Sequence, residues 1–246
     1  ERRKEISANM QEVMRRARGD ENARIHWKGW TERAGDILEN LDGAMKGTLA
    51  ARTAIAIDPL WLLDSESQWV QEKLVPVVQK HANASGEVKA PKIDLLMEEL
   101  KQRVEVEGEK VVIFLTSLKG ARRLYRKLRC EFGRDALAYF VGGMSDDTRQ
   151  AQIDCFMNNP SCKIMLANDA AKSAVNLQAA KYMYHLDLPW NKTDYEQRNG
   201  RIQRVGSQHK RVYIFNLVMA GSIDEDVLTA WERKTLVSES LLGVRQ

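Results

Sequence analysis

From residue 93 onward, short apolar runs alternate with stretches whose apolar residues recur every three or four positions. The runs KVVIFLT (110–116), ALAYFVG (136–142), KIMLAND (163–169), YMYHLDL (182–188) and RVYIFNLVM (211–219) predict buried strands. The segments between them, LKGARRLYRKLRCEF, DDTRQAQIDCFMNN and TDYEQRNGRIQRV, predict helices. Two helix starts carry the reciprocal capping pattern, Thr193 with Glu196 and Ser222 with Glu225. Strand–helix alternation of this kind predicts an α/β fold, a parallel sheet covered by helices on both faces. Ligands of such sheets bind beyond the carboxyl ends of the strands. Attention therefore falls on the turns TSLKG, GGMSDD, NDAAKSAVNLQ and DLPWNK.

The first part of the chain has a different texture. ERRKEISANMQEVMRRAR and TERAGDILENLDGAMKGTLAARTAIAI place apolar residues at helical spacing among dense charges of both signs, and Pro59 interrupts the pattern. HANASGEVKAPK, residues 81–92, reads as a connector. The expected organisation is a helical segment and linker over 1–92, an α/β lobe over 93–235 and a tail over 236–246. The chain opens on Glu1 inside a charged helical pattern without an initiator methionine, so the expectation is a piece of a longer protein.

Composition narrows the classes. At 246 residues with 43% apolar content the chain can bury a core, and its net charge of +4 permits a nucleic-acid partner without requiring one. The three cysteines are widely spaced and no histidine stands at metal-ligand spacing from another, so reduced thiols and no metal site are expected. With neither a signal peptide nor a membrane-spanning run, the expected place is intracellular: the cytoplasm if bacterial or viral, the nucleus if eukaryotic.

One stretch stands apart. YEQRNGRIQRVGSQHK puts Gln197, Arg201 and Arg204 four and three residues apart, which a helix would stack on one face. Two arginines and a glutamine make a poor packing face and a good grip on phosphate oxygens, although surface ion pairing alone would also use them.

The ordered series VVIFLTSLKGARRL, GGMSDDTRQAQIDCF, IMLANDAAKSAVNLQAAKYMYHLDLPWNKTDYEQRNGRIQRVGS and VYIFNLVMAGSIDEDVL resembles the second RecA-like lobe of helicase superfamily two, and within it the Swi/Snf-type double-stranded-DNA translocases. The resemblance covers roughly residues 93–235. It implies that Arg201 and Arg204 are the motif VI arginine fingers, with Gln197 as the motif's leading glutamine. Asn176 and Gln178 fall in motif V, which in the family touches both nucleotide and DNA. Thr116, Ser117 and Lys119 fall in motif IV and its turn, a place for a DNA phosphate; Ser117 also reads as a plain helix cap. Gly142 and Gly143 would allow close approach of a DNA strand, or simply form a turn. Motif V departs from the family: Ala171, Lys172 and Ala174 stand where glycines are usual, and Lys172 is a candidate direct DNA-phosphate contact. Ser207 lengthens the turn after the finger arginines, and Trp190 is expected to pack against the lobe rather than stack on a base.

The chain contains no GxxxxGK[ST] and no Walker B-like acidic pair after a strand. The resemblance therefore implies that ATP and Mg2+ are held mainly by a first RecA-like lobe absent from this sequence. This lobe would supply arginine fingers and grip the backbone of duplex DNA, and alone it would be inactive. The alternative is a degenerate RecA-like module that binds nucleic acid or protein without ATPase activity; an RNA helicase is disfavoured by NLQ and DLPWN. The charged N-terminal helices are a candidate protein-binding surface or a solvated pair, and no membrane contact is expected.

Overall fold

The computed structural model describes residues 53–54, 56–64, 68–81, 90–168, 175–204, 207, 209–220 and 222–241. The helical patterns predicted within 1–52, most of the connector, and Ala171, Lys172 and Ala174 lie outside the described residues.

Five parallel strands form one sheet: β1 (Val111–Phe114), β2 (Leu137–Phe140), β3 (Ile164–Ala167), β4 (Tyr182–His185) and β5 (Tyr213–Asn216), in the order β2-β3-β1-β4-β5. Each predicted apolar run supplies one strand. The helices are α1 (Gln68–Lys73), α2 (Val75–His81), α3 (Pro91–Leu100), α4 (Leu118–Phe132), α5 (Asp146–Asn158), α6 (Lys192–Asn199) and α7 (Ile223–Leu241). A 3-10 turn covers Pro59–Asp64, and α3 runs on into a π-helical turn over Lys101–Val106.

Alternation along the strands builds two core layers. Val111, Ile113, Ile164, Leu166, Tyr182 and Tyr184 face Ile93, Leu96 and Leu100 of α3 and Leu124 and Leu128 of α4. Val112, Phe114, Ala138, Met165, Ala167 and Met183 face Phe156 of α5 and Ile202 beyond α6. Successive side chains thus serve opposite faces, which requires strands that are apolar throughout.

The segment before α3 joins the first layer directly. Ile57 and Trp61 belong to the same buried cluster as α3 and α4. The Trp61 ring lies where a Cβ on Gly120 would stand, 2.2 Å from its Cζ3. Glycine at position 120 is what lets the indole settle on the first turn of α4.

Two local expectations change. Asn191, not Thr193, caps α6, its side chain accepting the Thr193 N–H at 3.1 Å. Ser222 does cap α7, accepting the Asp224 N–H at 3.2 Å, and Asp224 closes the turn by accepting the Met219 N–H at 2.9 Å.

The predicted helix over 193–205 is also shorter. It ends at Asn199, and residues 200–203 form tight turns, with Arg201 N–H donating to Arg198 O and Ile202 N–H to Asn199 O. Two forces end it: Ile202 is fully buried beneath the sheet, and the Arg201 carbonyl accepts the Leu177 N–H at 3.0 Å. Both draw the chain out of helical register.

Candidate functional site

The strand order reverses direction between β1 and β4, and in open α/β sheets that switch point opens a crevice at the carboxyl ends. Here a buried ionic network occupies it. Thr116, after β1, donates its backbone N–H to Asp187 Oδ2 at 2.7 Å and its hydroxyl to Asp187 Oδ1 at 3.0 Å. Arg198 of α6 donates through Nη2 to Thr116 Oγ1 at 3.0 Å, and through Nη1 to the Asp187 carbonyl at 3.2 Å and Oδ1 at 3.4 Å. The Arg198 side chain has no solvent exposure, and its guanidinium stands over the Phe114 ring at 5.4 Å. Burial pushes the Asp187 carboxyl above its ordinary range, against the pull of Arg198, the two Thr116 donors and Lys92.

The network continues in two directions. Lys92 at the start of α3 donates to the Leu186 carbonyl at 2.9 Å and pairs with Asp224, both side chains buried. On the other side, His185 Nε2 lies 2.8 Å from Asn199 Oδ1, its ring stacked on Phe114 and tilted against Tyr195. An amide oxygen only accepts, so the imidazole carries its proton on Nε2. Burial, helped by the charge of Arg198, lowers the His185 pKa to about 3, so the ring is neutral. Asn216 donates to the Tyr195 hydroxyl at 3.1 Å, and the Trp231 indole N–H donates to the Pro189 carbonyl at 3.1 Å. Helix α6 is thereby bonded to β1, to the β4 loop and to β5.

Gln197 sits on this anchored helix, whereas Arg201 and Arg204 follow it in the turn beyond, so the three are not stacked on one helical face as expected. Arg201 donates through Nε to the Gln197 carbonyl at 3.0 Å and through Nη1 to the Val175 carbonyl at 3.4 Å. Among the described residues, neither Arg201 nor Arg204 forms an ion pair with a carboxylate. Burial and then the neighbouring Arg204 charge lower the Arg201 pKa from its usual value. Two guanidiniums that repel each other, without a carboxylate partner among the described residues, make a site suited to an external anion. Gln197 is exposed beside them, and its carbonyl is occupied by Arg201.

The segment that holds Asn176 and Gln178 is brought to the same place. Leu177 bonds to Arg201 through the backbone, and Asn176 Oδ1 accepts the Gln178 N–H at 3.2 Å, so Asn176 and Gln178 flank the Arg201 turn.

The other expected positions lie on neighbouring turns of the same sheet end. Ser117 caps α4, accepting the Gly120 N–H at 3.0 Å, and Lys119 is exposed on the first turn. The Thr116 hydroxyl is engaged internally by Asp187 and Arg198. Gly142 donates its N–H to Asn168 Oδ1 at 3.2 Å, while Gly143, exposed, has a φ of 85°, which favours glycine whatever binds there. Trp190 does not pack into the lobe as expected: it is 42% exposed, and Trp231 fills the space beneath the loop instead.

Arg198, Asp187, His185 and Asn199 were not singled out from the sequence. A signal was present. Tyr195, Arg198, Asn199 and Ile202 follow the i, i+3, i+4, i+7 spacing of a buried face, and all four are buried.

Residues 91–206 match the helicase conserved C-terminal domain. An uncharacterized ATP-dependent helicase of Bacillus subtilis, YqhH, is 30% identical over 135 residues, 55% of this chain, and the chain spans 23% of that relative's length. The C-terminal part of the Fun30 ATPase domain superposes with a TM-score of 0.61 at 21% identity, over 77% of this chain and 73% of that one. The Sulfolobus solfataricus SWI2/SNF2 ATPase core, solved in complex with dsDNA, superposes with a TM-score of 0.55 at 22% identity, over 86% of this chain and 42% of that one.

Residues 91–206 therefore carry the pattern of a helicase conserved C-terminal domain, on a fold like that of the C-terminal part of the Fun30 ATPase domain. The same fold recurs in the Sulfolobus solfataricus SWI2/SNF2 ATPase core. Among the described residues, no helix is long and apolar enough to cross a membrane.

Proposed function

We propose that this chain is the second motor lobe of an ATP-dependent translocase on duplex DNA. The observation that carries the reading is the pair Arg201 and Arg204. They are adjacent, lack a carboxylate partner among the described residues, and sit on a turn bonded to the motif V segment. In this reading they reach ATP and Mg2+ held mainly by a first RecA-like lobe of the whole protein. When bound, the nucleotide and metal supply the phosphoryl group and neutralise its charge. Arg201 and Arg204 hold positive charge toward the γ-phosphate, and Gln197 lines the same approach.

The Thr116–Asp187–Arg198 network supports a coupling role. It ties the turn after β1, where Ser117 and Lys119 would meet a DNA phosphate, to the helix leading into the arginines. Gly143 lies on a turn that would complete the track, and Lys172, in the same stretch of sequence as Asn176 and Gln178, is a further candidate phosphate contact. A motor whose grip and hydrolysis alternate needs both sites on one body, and the bonds that join these turns at the sheet end support that reading.

The test is ATP hydrolysis by the whole protein, with and without duplex DNA, for wild type and Arg204→Ala. Strong stimulation by DNA, with the variant lower by about a thousandfold, is expected. Hydrolysis indifferent to both DNA and Arg204 would overturn the reading in favour of a binding module without a motor.

A further inference from the structure

Helix α4 carries six basic residues, Lys119, Arg122, Arg123, Arg126, Lys127 and Arg129, against the single acid Glu131. That is a net of +5 on one 15-residue helix, while the whole chain carries +4, so the rest of the chain nets −1. The distribution is one-sided. Gly120, Ala121, Leu124 and Leu128 form the buried face, and at 100° per residue every basic position except Lys127, which lies at its edge, falls on the opposite half.

The internal compensation is partial and lies at the edge. Glu131 pairs with Lys101, and Asp58 lies near Lys127 and Arg123. Arg122, Arg126 and Arg129 form a stripe at i, i+4 and i+7, and among the described residues none of them is in an ion pair. Like charges at this spacing repel, so the stripe costs the helix stability rather than adding ion pairs to it.

We propose that the outward face of α4 binds the phosphate backbone of nucleic-acid duplex lying beyond the β1–α4 turn, as a second contact outside the tracking path. This rests on the reading above, in which a DNA strand crosses Ser117 and Lys119. Three features favour duplex over an acidic protein segment. The stripe begins at Lys119 on that turn, so the two surfaces are continuous. Four of the six cations are arginines, whose planar fork suits phosphate. The face also lacks an apolar anchor: among the described residues, the exposed large apolar side chains, Leu63, Val106 and Trp190, all lie elsewhere. The rise of a helix gives Lys119 to Arg129 a span of about 15 Å, along which duplex presents about nine phosphate charges.

The experiment measures binding of the whole protein to labelled duplexes of about 12 and about 30 base pairs, from about 50 to about 200 mM KCl. Wild type is compared with Arg122→Gln/Arg126→Gln/Arg129→Gln and with the triple Arg→Lys variant, which keeps the charge and controls for folding. On the long duplex, the slope of log affinity against log salt is expected to fall by about 2 to 3 in the Gln variant. The slope is expected to be retained in the Lys variant, and on the short duplex it is expected to be the same for all three proteins.

An unchanged slope on the long duplex overturns this inference alone. So does an equal loss on both lengths, or a loss of binding to polyglutamate with duplex binding intact. Failure of wild type to bind either duplex overturns the translocase reading as well.

Discussion

Replacing Arg198 with methionine removes a cation that is wholly buried against a carboxylate that is 3% exposed. At the observed 3.4 Å, and with an effective dielectric near 20, their attraction is about 5 kcal/mol. Breaking a buried pair on one side costs about 3 to 5 kcal/mol by independent measure, since the remaining charge is left desolvated. The two estimates agree because the rest of the network does not substitute for the guanidinium. The Thr116 N–H and hydroxyl already serve Asp187, and Lys92 is engaged with Asp224 and the Leu186 carbonyl. Arg198→Met is thus expected to lower unfolding free energy by about 3 to 5 kcal/mol, read as a shifted urea midpoint at constant slope. Adding Asp187→Asn removes the stranded charge and keeps an acceptor for the Thr116 N–H. The double variant is expected to recover at least about 2 kcal/mol of that loss. A single-variant cost under about 1 kcal/mol, or strict additivity in the double variant, would refute the assignment of this pair as the anchor of α6.

Two further perturbations probe the supports around it. Gly120→Ala drives a methyl into the Trp61 ring, which is 8% exposed and has little room to move. A cost of about 1 to 3 kcal/mol is expected, with Trp61→Leu restoring part of it; a neutral Gly120→Ala would show that the indole is not held there. For His185, the folded-state pKa is about 3 against an ordinary 6.5, so the native state resists protonation. Its contribution to stability is complete above about pH 6.5 and is lost as pH falls toward 3, at up to about 1.4 kcal/mol per pH unit. His185→Gln is expected to flatten the dependence of the urea midpoint on pH in that window. Identical slopes for wild type and variant would mean the imidazole is not buried neutral.

The strands were legible because parallel strands covered on both faces are written as nearly unbroken apolar runs, and all five runs form strands. The end of α6 was not legible. What stops it is the long-range bond between Arg201 O and Leu177 N and the burial of Ile202, neither of which local spacing records. Arg198 was hidden for a related reason. An arginine on the apolar face of a helix is stable only if another element delivers a carboxylate, and Asp187 arrives from eleven residues upstream, across a strand end. Trp190 and Trp231 are a subtler case. Both are large aromatics near the same loop, and only the packing of α7 determines which one is covered.

The Lys92–Asp224 pair has a practical consequence for anyone preparing this lobe in isolation. Its partners sit 132 positions apart, one at the head of α3 and one at the head of α7, and both are buried. The matched domain, residues 91–206, includes the lysine and stops short of the aspartate. A fragment trimmed to those limits would carry a buried ammonium with no counter-ion, and would lose β5 along with it. The smallest piece expected to express as a soluble, cooperatively unfolding unit therefore begins ahead of Trp61, so that Gly120 keeps its cover, and extends past Trp231.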